Sequence, residues 1–175
     1  MNKKTFYIDM DGVVADFNGY AERILKKKDT GHKWEPGEWT RLKDNPRIYR
    51  DLEVIENAKA LVSVANAFKT QLDWDVLFLS AVPKGNDVHW AFWDKCLWAQ
   101  QHFPGIPVHF GPYALDKQIH CRPGDILVDD RHSNCEEWKA AGGIAVEVHR
   151  GKYNEAINEV KTLLATHLVQ DSTAG

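Results

Sequence analysis

Cysteine is scarce in this chain and poorly placed for any joint task. The three that occur, Cys96, Cys121 and Cys135, are odd in number, widely separated, and form no CxxC pair. That spacing argues against a disulfide framework and against a cysteine-bound zinc, and free thiols suit a reducing cytoplasm. The eight histidines form no HxxxH or HExxH pattern, so a zinc enzyme has no support. No apolar run is long enough to suggest a membrane span. The opening MNKKTFYIDMDG is basic, but Asp9 and Asp11 interrupt its apolar run before it reaches signal-peptide length, so none is expected. Positive charge is not in excess either: 22 Lys and Arg stand against 25 Asp and Glu, a net charge of −3, with the basic residues scattered. A long nucleic acid is therefore not an expected partner, whereas a small phosphorylated ligand is compatible.

What is present is a chain of 175 residues with seven tryptophans, long enough for one domain with a small insertion. Four apolar runs read as buried strands: TFYIDM at 5–10, DVLFLS at 75–80, DILVDD at 125–130 and IAVEV at 144–148, with PVHF at 107–110 as a weaker fifth. Between them lie helical patterns. Residues 87–103 open on Asp87 as an N-cap and carry Trp90, Trp93 and Trp98 at core-like helical spacing. Residues 133–142 open on a Ser133–Glu136 capping box and stop at a glycine pair. An amphipathic helix closes the chain, and QDSTAG reads as a frayed, flexible tail at about 171–175.

Strands alternating with helices imply an α/β fold, a parallel sheet covered on both faces. Residues 18–74 break the alternation. They read as a helix, a long polar piece whose Trp34, Trp39 and Tyr49 need something to pack on, and a return helix near 57–69. The expected organisation is a core of 1–17 and 75–170 with a small helical cap inserted after the first strand.

In parallel sheets, chemistry collects outside the carboxyl ends of the strands. Asp9, Ser80 and the pair Asp129–Asp130 all fall there, and Gly12 lets the chain turn after Asp9 and Asp11. Carboxylates crowded into one crevice repel unless a cation joins them, and hard oxygen donors suit Mg²⁺. Beside such an ion a carboxylate can attack phosphorus, and a second one, two residues on, can serve as acid and base. Ser80 and Lys117 could supply the hydrogen bonds and positive charge that a phosphoryl group demands.

DMDGVVADF, a strand-end Ser80, Lys117 and LVDDR resemble, in order, the four motifs of the haloacid dehalogenase superfamily of phosphatases. The likeness runs from about residue 5 to about residue 148. Together with GEW at 37–39, WDKCLW at 93–98, DK at 116–117 and VDDR at 128–131, it is similar more closely to the 5′(3′)-deoxyribonucleotidases and their bacterial and phage relatives. The resemblance implies a three-layer Rossmann-like core in which Asp9 is the nucleophile and Asp11 the general acid/base. It also implies Mg²⁺ held by Asp9, the Asp11 carbonyl and Asp130, with Asp129 and Asp130 not separable by sequence. Phe17 and Trp39 would meet a base or deoxyribose, and Lys95 would reach the phosphate or lie solvated on its helix. Two departures stand out: Ala81 follows Ser80 where relatives often carry a second hydroxyl, and the gap from Lys117 to Asp129 is long.

Deoxyribonucleoside monophosphates are the expected substrates, in a cytoplasmic enzyme for which a homodimer is compatible. Another small phosphoester or a nucleic-acid 3′-phosphate end is the nearer alternative, and a non-catalytic nucleotide-binding module the more distant one. Arg131 is expected to anchor its loop on a carboxylate, Asp16 to serve in a turn or flap, and Cys96 to be buried.

Overall fold

The computed structural model describes residues 3–28, 35, 37–84 and 87–174. Five strands form one sheet: β1 (Thr5–Ile8), β2 (Asp75–Ser80), β3 (Val108–Phe110), β4 (Ile126–Asp129) and β5 (Ile144–Glu147). All pair in parallel, in the order β3-β2-β1-β4-β5. The weak candidate at 107–110 is thus a real edge strand. β1 lies in the middle, with Ile8 opposite both Phe78 and Val128, so the residues following β1 and β4 emerge side by side.

Side chains alternate across a strand, and each face of this sheet has its own cover. Phe6, Ile8, Phe78, Val128 and Val146 point into a large cluster with α3 (Ala58–Leu72) and α6 (Tyr153–Ala174). The same cluster takes in Trp98 of α4 (Ala91–His102), whose indole donates to the Leu52 carbonyl at 2.8 Å. Tyr7, Leu79 and Leu127 point the other way, onto Cys135 and Trp138 of α5 (His132–Ala140). Burial on both faces explains why these strands read as continuous apolar runs rather than alternating ones.

Several helix details differ from expectation. α4 begins at Ala91 with Trp90 at its N-cap position, so Asp87 caps nothing. Its tryptophans do not share a face: Trp98 is fully buried, Trp90 half-buried, and Trp93 68 % exposed. Five residues along a helix is about 140° of rotation, which turns Trp93 away from Trp98. Cys96 is likewise exposed. α5 starts one residue before Ser133 and has no side-chain cap, and Glu136 pairs instead with Lys139 at 3.0 Å. α6 continues to Ala174 through the segment expected to fray; Ser172 and Thr173 return their hydroxyls to the carbonyls of Leu168 and Gln170, at 2.8 and 2.9 Å.

The excursion after β1 leaves and returns as a pair. Ala15 bridges Val54 antiparallel, flanked by Asp16 N to Glu53 O at 2.8 Å and Ile55 N to Val14 O at 3.0 Å. Between them lie α1 (Phe17–Leu25) and α2 (Glu38–Lys43), tied by the Tyr20 hydroxyl donating to Leu42 O at 2.8 Å. Asp16 is the N-cap of α1, accepting from Gly19 N at 2.8 Å. Tyr49 is buried and stacks on Phe17 with centroids 6.0 Å apart; Trp34 lies outside the described residues. Because Trp98 joins α4 to the returning segment, Trp98→Ala should cost about 3–5 kcal/mol of stability in urea unfolding. Trp93→Ala should stay within about 0.5 kcal/mol.

Candidate active site

The chain turns sharply at the end of β1. Asp9 remains tied to β4 by its amide, which donates to Val128 O at 2.9 Å. The Met10 carbonyl then accepts from Val14 and Ala15 at 2.9 and 2.8 Å, closing a tight loop around Asp11 and Gly12. Gly12 has φ +82°, and a Cβ there would lie 2.0 Å from Asp130 Oδ2. Glycine is required twice over, for the left-handed backbone and for the space Asp130 occupies.

The expected carboxylates converge. One oxygen each of Asp9, Asp129 and Asp130 lies within 4.8 Å of the others. Lys117, on the 3₁₀ helix Ala114–His120, is only 2 % exposed and puts Nζ 2.7 Å from Asp9 Oδ1 and 2.6 Å from Asp129 Oδ2. The long gap before β4 therefore does not displace it. Burial would lower its pKa, but the Asp129 and Asp9 carboxylates outweigh that and hold the ammonium above its usual range. Asp129 is fully buried, and Asn134 Nδ2 contacts both its oxygens at 3.1 Å while Arg131 N donates to Oδ1 at 2.9 Å. Each Asp129 oxygen thus has two donors, which matches its two lone pairs.

A second buried cation serves Asp11. Lys95, 1 % exposed, pairs with Asp11 Oδ2, donates to Ser80 Oγ at 2.9 Å and lies 4.4 Å from the centre of the Tyr49 ring. Neither Lys95 nor Ser80 lines the cavity above. The helix lysine is not solvated; the Asp11 carboxylate and the face of Tyr49 draw it inward.

That cavity has a volume of about 520 Å³. Asp9, Asp11, Lys117 and Asp130 line one part of it, and Phe17, Trp39, Tyr49 and Tyr113 supply aromatic walls. Ala81, Lys84, Asp87, Arg131 and Asn134 also line it, and of these the sequence suggested no site role for Lys84, Asp87 or Asn134. Asn134 was hidden inside the supposed capping box; its signal is a polar residue one turn into α5, aimed back at the end of β4. Arg131 meets Asp129 through its backbone amide, while its guanidinium makes no ion pair among the described residues.

The donor set fits a hard divalent cation. Burial, opposed by Lys117 and reinforced by Asp129 and Asp11, pushes Asp9 up to about 6. Burial together with Asp9 and Asp129 pushes Asp130 well above the usual carboxylate range. Carboxyls held this way in a dry cluster take up either protons or a metal ion.

A parallel sheet with an Asp-x-Asp turn after its central strand, a buried lysine between two strand ends and a paired carboxylate on the neighbouring strand defines a Rossmann-like core of the haloacid dehalogenase type. The family model described as 5′ nucleotidase, deoxy (Pyrimidine), cytosolic type C protein matches residues 3–162. The chain belongs to this deoxyribonucleotidase family of phosphoric monoester hydrolases. No curated protein matches it. Among the described residues no helix is long and apolar enough to cross a membrane.

Because an ionised Asp130 opposes burial, Asp130→Asn should raise the melting temperature measured in chelator. If a divalent cation binds the cluster, the same variant should lose the stabilisation that cation gives, about 2.7 kcal/mol for a ligand at a hundred times its Kd. Gly12→Ala should likewise remove any divalent-cation response in that thermal scan, since its Cβ displaces the Asp130 carboxylate.

Proposed function

We propose that this protein is a Mg²⁺-dependent phosphatase that dephosphorylates deoxyribonucleoside monophosphates through an aspartyl-phosphate. The reading rests chiefly on one observation: the cavity lined by Asp9, Asp11, Lys117 and Asp130 is also lined by the aromatic rings of Phe17, Trp39, Tyr49 and Tyr113. Such a shape suits a ligand with an anionic end and a flat, stackable one. The family match supports a small nucleotide as that ligand.

In this scheme Asp9 attacks phosphorus and the bond to the ester oxygen breaks as Asp11 hands that oxygen its proton. Asp11, now ionised, removes a proton from water, which attacks the phosphoryl group on Asp9 and releases inorganic phosphate. Lys117 orients Asp9 and offers its charge to the phosphoryl oxygens. Lys95 holds Asp11 and the Ser80 hydroxyl in register. Asp9, Asp130 and the Asp11 carbonyl would hold Mg²⁺, with Asp129 positioning Lys117. When bound, the ion supplies further neutralisation of the phosphoryl oxygens. Residues 18–74, the cap and its return helix, would close over the core of 1–17 and 75–170. The cytosolic type in the family's description supports a cytoplasmic setting.

Phosphate release should be measured from deoxy- and ribonucleoside monophosphates, sugar phosphates and a 3′-phosphorylated oligonucleotide. Deoxynucleotide turnover that chelator abolishes and Asp9→Asn eliminates is the expected result. Asp11→Asn should lose about 10²–10⁴ in kcat. Turnover of sugar phosphates alone would reject the nucleotide, and turnover of the oligonucleotide alone would favour the nucleic-acid end.

A further inference from the structure

The loop between β2 and α4 places a carboxylate in the cavity wall that the chemistry does not use. Asp87 precedes α4 by four residues and points across to α2. Its Oδ2 accepts from the indole Nε1 of Trp39 at 3.2 Å, and its Oδ1 lies 3.4 Å from Lys43 Nζ. Both Asp87 and Trp39 line the cavity. An indole has a single polar donor, so a bond there, added to the packing of the ring, sets the plane the ring presents. A bare carboxylate in this wall would repel an anionic substrate; the indole N–H and Lys43 offset its charge while it holds the ring.

We propose that Asp87 is a specificity-determining positioning residue. It fixes the Trp39 indole as the flat wall against which the substrate's base stacks, and so sets affinity for base-bearing substrates without entering the phosphoryl transfer. This rests on the nucleotide reading above. Asp87 makes no bond to Asp9, Asp11 or Lys117, and the partner that matters is the indole, because an exposed ion pair such as that with Lys43 contributes little. An interaction with the base that is equal in ground and transition states appears in KM and leaves kcat alone.

The test compares Asp87→Ala, Asp87→Asn, Lys43→Met, Trp39→Phe and the double variant Asp87→Ala/Trp39→Phe. Each is assayed on a deoxyribonucleoside monophosphate and on baseless deoxyribose 5-phosphate. The indole N–H resonance of Trp39, assigned by its loss in Trp39→Phe, is followed by NMR. For Asp87→Ala the nucleotide KM should rise about 5- to 20-fold, a fraction of the full stacking contribution, with kcat retained within about twofold. The rise should be absent with deoxyribose 5-phosphate, and the indole resonance should move upfield and exchange faster with water. Asp87→Asn keeps an acceptor and should largely restore both readouts, Lys43→Met should leave the resonance in place, and Asp87→Ala should add nothing in the Trp39→Phe background. With nucleotide turnover present in the unaltered protein, an unmoved resonance, an unchanged nucleotide KM or equal losses on both substrates in Asp87→Ala would overturn the assignment alone. Absence of nucleotide turnover in the unaltered protein would overturn the nucleotide reading and the assignment with it.

Discussion

The buried ammonium of Lys117 is the contact on which the rest of this site depends. A parallel sheet that sets β1 beside β4 brings Asp9 and Asp129 together at their carboxyl ends, where helices and loops exclude water. Two carboxylates desolvated side by side would not both stay ionised. Lys117 lies between them at 2.7 and 2.6 Å and makes the arrangement tolerable. Buried ion pairs of this kind add little net stability, because desolvation consumes most of the Coulombic gain. What Lys117 supplies is position: it holds Asp9 against the floor of the cavity.

The charges around it form a larger balance. Asp9, Asp11, Asp129 and Asp130 are four carboxyl groups, and Lys117 and Lys95 are the two buried ammonium groups beside them. Burial first, and the neighbouring carboxylates after it, raise the Asp9 and Asp130 carboxyls, and such a surplus of hard oxygen donors suits a divalent cation. Lys95 extends the same logic outward. By gripping Asp11 and resting on Tyr49, it links the Asp11 carboxyl to the aromatic lining of the cavity, where Tyr49 stacks on Phe17.

The two ends of the cavity are built on different principles. The carboxylate cluster hangs from strand termini and their immediate turns, where ladder hydrogen bonds leave little freedom. The aromatic lining comes from Phe17 of α1, Trp39 of α2 and the loop residues Tyr49 and Tyr113, with side-chain contacts such as Trp39 to Asp87 joining them to the loop before α4. Rigid strands suit groups that must meet an attacking geometry, whereas helices and loops can vary in what they recognise without disturbing them.

Local pattern alone determined the five strands, the layered α/β fold, and the placement of Asp9, Asp11, Ser80 and Asp129–Asp130 at strand ends. Each of those follows from apolar runs and the chemistry of short, contiguous motifs. Ser133–Glu136 had the spacing of a capping box, yet the helix starts one residue earlier, and the amide after β4 goes to Asp129. Trp93 looked like core because spacing shows which residues are periodic, not which side of the helix meets the sheet. Lys95 could not be distinguished from a solvated lysine until the fold brought Asp11, 84 residues away in sequence, against it. Asn134, Asp87 and the Arg131 guanidinium belong to the same class. Which side chains share a buried partner is decided by packing between distant segments, and a desolvated charge must find its counterion wherever the chain folds one into reach.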